Sequence, residues 1–157
     1  MKIITGDLIE LALSGDFDVI IHGCNCYVNM GKGIATLIKK NFPEAFEADK
    51  KTVAGDKSKL GYFTSATIKK KFGDITVVNA YTQFHYSSRY NKGICQVDYF
   101  AMENVMRRIK KAFHGKRIGY PKIGAGLGGG DWNVISKIID KEFEGENHTL
   151  VEFGWPK

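Results

Sequence analysis

The residues best suited to chemistry are glycines near the end of the chain, in the stretch IGAGLGGGD at residues 123–131. Gly124, Gly126 and Gly129 fit the spacing G-x-G-x-x-G, and five of the seven residues from 124 to 130 are glycine. Glycine lets backbone N–H groups come close to an anion, and the start of a following helix attracts negative charge. The stretch therefore predicts a loop that holds phosphate groups, with a tight strand-to-helix turn that binds nothing as the alternative.

A second loop of the same kind lies earlier in the chain. The sequence GCNCYVNMGKGIA at residues 23–35 follows the apolar run DVIIH and leads into a helical pattern. In open α/β sheets, ligands bind beyond the carboxyl ends of the strands. Two glycine-rich loops at one edge of such a sheet would grip a ligand that carries two phosphates.

The glycine spacing alone also matches the dinucleotide fingerprint of NAD-dependent dehydrogenases. That fingerprint needs a further strand and helix, with an acidic residue about 20 residues on. Only 28 residues follow Gly129, and their pattern predicts one helix and one terminal strand. The position of the loop near the end of the chain therefore argues against a dehydrogenase.

The elements that must position both loops are those of one α/β layered domain of 157 residues, because apolar runs alternate with helical periods. The predicted strands are Lys2–Thr5, Asp18–His22, Thr64–Lys69, Ile75–Tyr81, Lys116–Tyr120 and Thr149–Phe153. The predicted helices are Asp7–Leu13, Gly31–Asn41, Glu44–Thr52, Val97–Phe113 and Asp131–Glu144. The polar and aromatic stretch Phe84–Gly93 is predicted to be a loop, and Tyr86, Arg89 and Tyr90 are candidates to close over a ligand.

Composition limits the classes of partner. The net charge of +6 suits an anionic ligand, but the lysines are scattered and form no basic stripe with interleaved aromatics, which argues against nucleic acid. No apolar run reaches membrane-spanning length, and the N-terminus lacks a signal peptide's apolar centre. Cys24, Cys26 and Cys95 form neither a disulfide framework nor a zinc motif. We expect a cytoplasmic monomer with no metal, no cofactor and no membrane partner.

Four stretches in order resemble the macro domain family of ADP-ribose binders. These stretches are GDL at 6–8, IIHGCN with MGKGIA at 20–35, VVNAYTQ at 77–83 and YPKIGAGLGGGDW at 120–132. The resemblance implies a three-layer α/β/α macro domain with a mixed, mostly parallel central sheet. It also implies ADP-ribose as the ligand, with the two glycine-rich loops around its phosphates.

The resemblance implies specific binding residues. Asp7 would accept a hydrogen bond from the adenine amino group, and Leu8 would add a backbone contact. Asn25 would contact the distal ribose. The remaining implied ligand contacts are Gly31, Lys32, Gly33, Ile34, Tyr81, Gly124, Ala125, Gly126, Leu127, Gly128 and Gly129. The alternatives are a helix N-cap for Asp7 and a turn-forming residue for Asn25.

The resemblance also implies chemistry, and most closely that of the yeast-type ADP-ribose-1″-phosphate phosphatases. That branch uses a histidine before the first loop and an aspartate in or after the second, which match His22 and Asp131. His22 would act as acid or nucleophile and Asp131 would orient the attacking water; a hydrogen-bonded core histidine and a helix N-cap are the alternatives.

A neighbouring branch removes ADP-ribose from macromolecules with a lysine after the central strand. This chain has Thr82-Gln83-Phe84 there, and Gly128 replaces that branch's acid. Two further functions remain open. One is a non-catalytic ADP-ribose binder, and the other is a hydrolase that uses a water held by Asp131 to release ADP-ribose from a protein or nucleic acid.

Overall fold

The computed structural model describes residues 1–86 and 95–154 of the chain. The strands are β1 (Lys2–Gly6), β2 (Val19–Cys24), β3 (Phe63–Lys70), β4 (Gly73–Tyr81), β5 (Ile118–Tyr120) and β6 (His148–Phe153). The helices are α1 (Leu8–Leu13), α2 (Ile34–Asn41), α3 (Pro43–Lys50), α4 (Tyr99–Ala112) and α5 (Trp132–Glu142), with a 3₁₀ turn at Lys57–Lys59. None of the helices in these two ranges is long and apolar enough to cross a membrane.

The six strands form one sheet in the order β1-β6-β5-β2-β4-β3. Every neighbouring pair is parallel except β3 and β4, which form an antiparallel hairpin. The predicted mixed, mostly parallel sheet is therefore confirmed. Because five strands run the same way, their carboxyl ends meet at one edge, and both glycine-rich loops leave the sheet there.

Helices cover both faces of the sheet, which gives the predicted three layers. Strand β2 is buried on both sides, as its unbroken apolar run predicts. Its Ile20 packs in a core with α1, α2 and α3, whereas Ile21 packs in the opposite core with α4 and α5. This alternation decides which of the two helical layers covers each side chain near the end of β2.

Aspartates cap three of the helices. The side chains of Asp7, Asp98 and Asp131 accept hydrogen bonds from backbone N–H groups in the first turns of α1, α4 and α5. Such caps satisfy donors that a helix cannot pair internally. The caps place the helix starts one or two residues later than predicted.

Two boundaries differ for reasons of backbone geometry. Helix α2 begins at Ile34 rather than Gly31, because Gly33 has φ 61°, which a helix interior excludes. The hairpin turns at residues 71–72, and β4 begins at Gly73, which pairs with Lys70, two residues before the predicted start at Ile75. Most of the predicted loop Phe84–Gly93, with Arg89 and Tyr90, lies outside the described residues.

Candidate functional site

A cavity of about 600 Å³ opens at the carboxyl ends of β1 and β6. It is lined by Gly6, Asp7, Leu8, Ile9, Ile34, Leu37, Pro121, Lys122, Ala125, Gly126, Val151, Glu152 and Phe153. The walls are mainly aliphatic, with a few charged groups at the rim. This combination suits a flat, largely apolar ring system with polar edges.

A smaller cavity of about 90 Å³ lies at the end of β2. It is lined by Gly23, Cys24, Asn25, Asn29, Met30, Lys32, Ala35, Gln83, Tyr86 and Leu127. The lining combines amide groups with one lysine, so it suits a small polar group that carries negative charge.

The two glycine-rich loops meet between the cavities. A Cβ atom placed on Gly33 would lie 3.3 Å from Cδ1 of Leu127. Ile34 and Gly126 line the large cavity, whereas Lys32 and Leu127 line the small one. A ligand with a head at each end could therefore pass its middle between the loops.

The glycines of the second loop have two different structural roles: some allow close packing within the loop, and one leaves space in the large cavity. A Cβ on Gly128 would lie 2.7 Å from Cγ2 of Val97 and 2.8 Å from the carbonyl oxygen of Gly124, and a Cβ on Gly130 would also clash. Gly126 faces open space: apart from its chain neighbours, no atom of residues 1–86 or 95–154 lies within 4 Å of an added Cβ. Gly126 is thus the glycine whose missing side chain leaves room in the cavity, while Gly128 allows the loop to fold.

Asp7 holds the helix cap and faces the large cavity at once. Its Oδ1 accepts from the N–H groups of Ile9 (2.9 Å) and Glu10 (3.2 Å). Its Oδ2 makes no hydrogen bond to the described residues and is open to a ligand. Phe153, 82% exposed, forms another wall of this cavity. The cap and the predicted ligand contact are therefore compatible.

Asn25 shapes the first loop. Its Oδ1 accepts from the N–H of Tyr27 and its Nδ2 donates to the carbonyl of Asn29, both at 2.8 Å. The turn that these bonds close contains Val28 at φ 57°, in the left-handed region that β-branched residues disfavour. Asn25 therefore forms a turn, which is the alternative predicted for it, and it also lines the small cavity.

We expect the replacement Val28→Asn to stabilise the protein by about 1 kcal/mol, because asparagine tolerates the left-handed region that strains valine. Urea unfolding measures the change. The matched control is Val53→Asn, at an exposed valine without positive φ, where the change should stay within about 0.5 kcal/mol. A loss of stability in Val28→Asn would contradict the strain at this position.

His22 lies away from both cavities, which corrects its predicted direct role in chemistry. Its side chain is fully buried on the α3 face of the sheet, and Nε2 lies 2.7 Å from Oδ1 of Asn79. The amide nitrogen of Asn79 donates to the carbonyl of Ala45, so its oxygen faces His22 and Nε2 carries the proton. Because the ring is fully buried, it cannot contact a ligand in this position. His22 is therefore the hydrogen-bonded core histidine that was the alternative prediction.

Burial lowers the pKa of His22 to about 4, which outweighs the opposing hydrogen bond with Asn79. The unfolded chain therefore binds a proton that the folded protein rejects. We expect the free energy of unfolding to fall by roughly 2–3 kcal/mol as the pH drops from 6.5 to 4, and to be unaffected by this group above 6.5.

The replacement His22→Gln should remove most of that pH dependence. A smaller part should remain, because burial also lowers the pKa of His148. Urea unfolding at pH 7.0, 6.0 and 5.0 measures the slope for both proteins. Equal slopes would mean that His22 is not buried in its neutral form.

Tyr81 is also a core residue rather than a ligand contact, which corrects a second prediction. Its hydroxyl donates to Oδ1 of Asp49 at 2.7 Å and lies 2.9 Å from Oγ1 of Thr64. The physical reason is strand alternation: Tyr81 and Cys24 are register partners on the same side of the sheet as His22.

Burial raises the pKa of the Cys24 thiol well above its usual value, so the sulfur at the cavity wall stays protonated.

The ionisable groups near the small cavity are unevenly distributed. Lys32 lines the cavity, and no carboxylate is found among its described lining residues. Asp131 is exposed directly after the second loop, where its Oδ1 accepts from the N–H of Asn133 at 2.9 Å. It caps α5 and lies outside the lining of both cavities, so its predicted catalytic role stays a prediction.

Many of the predicted binding residues come together. The large cavity contains Asp7, Leu8, Ile34, Ala125 and Gly126, and the small one contains Asn25, Lys32 and Leu127. Gly31, Gly33, Gly124, Gly128 and Gly129 shape the loops without lining either cavity. The main omissions from the prediction are Phe153 and Gln83. Phe153 is the last residue of β6 and Gln83 lies two residues after β4, so the rule that ligands bind at the carboxyl ends of strands would have found them.

Comparison with known sequences gives a family and several relatives. The family model described as Macro domain matches residues 21–139. An uncharacterized 17.5 kDa protein of Enterobacteria phage T4, from the tk-vs intergenic region, is 35% identical over 89% of this chain and 88% of its own. The ADP-ribose 1″-phosphate phosphatase of Candida albicans is 27% identical over 92% and 94%, respectively.

A third relative is the DNA ADP-ribosyl glycohydrolase of Mycobacterium tuberculosis, 25% identical over 89% of this chain. The chain spans 38% of that protein's length. Among solved structures, the macrodomain of Mycobacterium tuberculosis DarG has a TM-score of 0.74 at 22% identity, covering 99% of this chain and 97% of its own. Thermosipho africanus DarTG, solved in complex with ADP-ribose, has a TM-score of 0.67 at 18% identity, over 99% and 42%.

Proposed function

The chain belongs to the macro domain family, and on that premise we propose that it binds one ADP-ribose across the two cavities and hydrolyses ADP-ribose 1″-phosphate to ADP-ribose and phosphate. The adenosine occupies the large cavity, the diphosphate passes between the loops at Gly33 and Gly126, and the distal ribose enters the small cavity. The close approach of Gly33 to Leu127 supports this division, because it lies between a mainly aliphatic space and a polar one.

The adenine end has a donor and acceptor match. Oδ2 of Asp7 accepts a hydrogen bond from the adenine amino group while Oδ1 keeps the helix cap. The exposed ring of Phe153 offers a flat face for the base. Asp7 and Phe153 lie at the ends of adjacent parallel strands, so the sheet itself fixes their separation.

The observation that carries the choice of reaction is the cationic, carboxylate-free lining of the small cavity in the described residues. Hydrolysis of a glycosidic bond commonly uses two carboxylates that flank it. Phosphoryl transfer instead requires positioning and stabilisation of charge, for which a lysine and backbone N–H groups suffice. Lys32 and the glycine-rich loops offer those groups, so the site favours phosphate release.

In the proposed reaction, water attacks the phosphorus atom and its oxygen forms the new P–O bond. The bond from phosphorus to the C1″ oxygen breaks, and that oxygen takes up a proton to become the hydroxyl of ADP-ribose. Lys32 stabilises the phosphoryl oxygens, and Asp131 orients the water, accepts its proton and passes that proton to the C1″ oxygen, which restores the carboxylate. His22 holds the end of β2 in place and takes no part in proton transfer.

A second candidate is removal of ADP-ribose from a nucleic acid. The observation in its favour is the 25% identity to the mycobacterial DNA ADP-ribosyl glycohydrolase across most of this chain. The amide of Gln83 lines the small cavity, but it offers no nucleophile comparable to a lysine or a carboxylate. This candidate would also use a water activated by Asp131, but the described lining offers no second carboxylate of the kind that hydrolysis of a glycosidic bond commonly uses.

Phosphate release from ADP-ribose 1″-phosphate tests the proposal. We expect Lys32→Met to lower turnover about tenfold or more, and Asp131→Asn to lower it similarly while keeping the helix cap. Lys116→Met, at the opposite end of β5, is the control for the change in charge. Release of phosphate at the wild-type rate by both Lys32→Met and Asp131→Asn would remove these two residues from the reaction. Binding without release by the wild-type protein would leave a non-catalytic ADP-ribose binder.

A further inference from the structure

The carboxamide group of Gln83 is held in one orientation at the wall of the small cavity. Its Nε2 donates to the carbonyl oxygen of His85 at 2.9 Å, and because a carbonyl can only accept, the amide nitrogen lies on that side. Oε1 therefore faces the second glycine-rich loop, where a Cβ on Gly128 would lie 2.9 Å from it. Gln83 also lines the small cavity, so its amide lies where the loop and the cavity meet.

The amide oxygen of Gln83 is accessible and has capacity for a hydrogen bond. Within residues 1–86 and 95–154, this Oε1 accepts no hydrogen bond. The buried side-chain oxygens without a partner in the same residues are Oγ1 of Thr82 and Oε1 of Gln96. Oε1 of Gln83 is neither of these, so it is not buried and can accept from a group that enters the cavity.

The other amide oxygens of the cavity lining already serve the first loop. Oδ1 of Asn25 accepts from the N–H of Tyr27 at 2.8 Å, and Oδ1 of Asn29 accepts from the N–H of Gly31 at 3.0 Å. Lys32 offers donors only. In the described lining, the amide oxygen left for a ligand is therefore that of Gln83.

The backbone around Gln83 is fixed from two sides. Gln83 and Val97 form an antiparallel bridge, and the carbonyl of Gln83 accepts from Sγ of Cys26 at 3.6 Å. The first contact ties it to the segment before α4, and the second ties it to the first loop. An acceptor held in this way loses little conformational entropy when a ligand binds.

From these contacts we infer that Gln83 determines specificity: its Oε1 accepts a hydrogen bond from a secondary hydroxyl of the distal ribose, and the site rejects ligands in which that hydroxyl is missing or esterified. This inference rests on the proposed binding of ADP-ribose and adds a selectivity to it. A ribose hydroxyl that enters the cavity leaves water and needs an acceptor. Removal of the hydroxyl leaves Oε1 unpaired, and an ester would also need space in a cavity of only about 90 Å³.

The test compares four ligands by calorimetry: ADP-ribose, its 2″-deoxy and 3″-deoxy analogues, and ADP. We expect the wild-type protein to bind one of the two deoxy analogues roughly tenfold more weakly than ADP-ribose. Gln83→Met keeps the length of the side chain and removes the amide oxygen. It should bind ADP-ribose roughly tenfold more weakly than the wild type and no longer distinguish it from that analogue, while its affinity for ADP, which lacks the distal ribose, stays unchanged.

Gln96→Met is the matched control. Gln96 lies outside the described lining of both cavities, and the hydrogen bond that it donates to the carbonyl of Gly128 comes from its backbone N–H, which the replacement keeps. This variant should retain the wild-type discrimination between ADP-ribose and the deoxy analogue.

The outcomes separate the specificity of Gln83 from the proposed function. Failure of the wild-type protein to bind ADP-ribose would overturn the proposed function and the inference with it. Equal wild-type affinity for ADP-ribose and both deoxy analogues would overturn the inference alone. Discrimination that persists in Gln83→Met, or an equal loss of affinity for ADP in that variant, would also overturn it, because the hydroxyl would then be bound elsewhere or Gln83 would act only on the fold.

Discussion

The replacement Gly126→Val should lower the affinity for ADP-ribose roughly 100-fold, the equivalent of about 2.8 kcal/mol of lost phosphate contacts. A side chain at this position points into open space in the large cavity, beside the gap between the loops. It would occupy the place where the diphosphate approaches the backbone N–H groups. The smaller change Gly126→Ala should give a smaller loss, because a methyl group fills less of that gap.

The thermal stability of Gly126→Val should stay close to that of the wild type, because the part of the chain that the structure describes places no atom, other than those of the chain neighbours, within 4 Å of the added Cβ. Gly128→Ala is the contrasting variant, since its methyl group would meet the carbonyl of Gly124, the side chain of Val97 and the amide of Gln83. We expect it to lower the free energy of unfolding by about 1–3 kcal/mol. Full ADP-ribose affinity in Gly126→Val would show that the diphosphate does not pass this glycine.

The second large effect is expected from Asp7→Asn. Asparagine caps a helix about as well as aspartate, so the cap on α1 should survive. The charged acceptor that faces the large cavity is lost, and a hydrogen bond to a charged group contributes about 1.5–3 kcal/mol. We therefore expect a loss of affinity for ADP-ribose of roughly 10- to 150-fold, with a change in unfolding free energy below about 0.5 kcal/mol.

Asp7→Ala separates the two roles of this side chain. It removes the cap as well, so it should also destabilise the protein by about 1 kcal/mol. Calorimetry with ADP-ribose and urea unfolding measure the two effects independently. Wild-type affinity in Asp7→Asn, together with lower stability in Asp7→Ala, would leave Asp7 as a helix cap alone.

The sequence predicts the elements and the two loops well, because apolar runs and glycine clusters are local signals. It does not predict which side of the sheet a strand's last side chains face. The position of His22 and Tyr81 near strand ends predicts that both face the ligand. Their register places them instead on the face that α3 covers, where Asn79 and Asp49 provide hydrogen-bond partners.

The cluster formed by the rings of Tyr27, Phe84, His85 and Tyr86 with the ammonium group of Lys57 shows a second limit. Its rings and its lysine come from segments that are about 30 residues apart in sequence, so no window of the chain contains both aromatics and lysines in the stripe typical of nucleic-acid binders. Backbone hydrogen bonds between Cys26, Gly55 and Phe84 bring those segments together. Aromatic side chains that are far apart in the sequence can therefore lie together in the folded protein.

The proposed binding mode requires one ligand to span both cavities. Calorimetry with ADP-ribose, ADP and AMP tests this directly, because each shorter ligand removes one end of the predicted contacts. We expect a single binding site. ADP should bind more weakly than ADP-ribose because it leaves the small cavity empty, and AMP should bind more weakly still because it loses contacts between the loops. Equal affinity for all three ligands, or no binding of ADP-ribose, would contradict this binding mode.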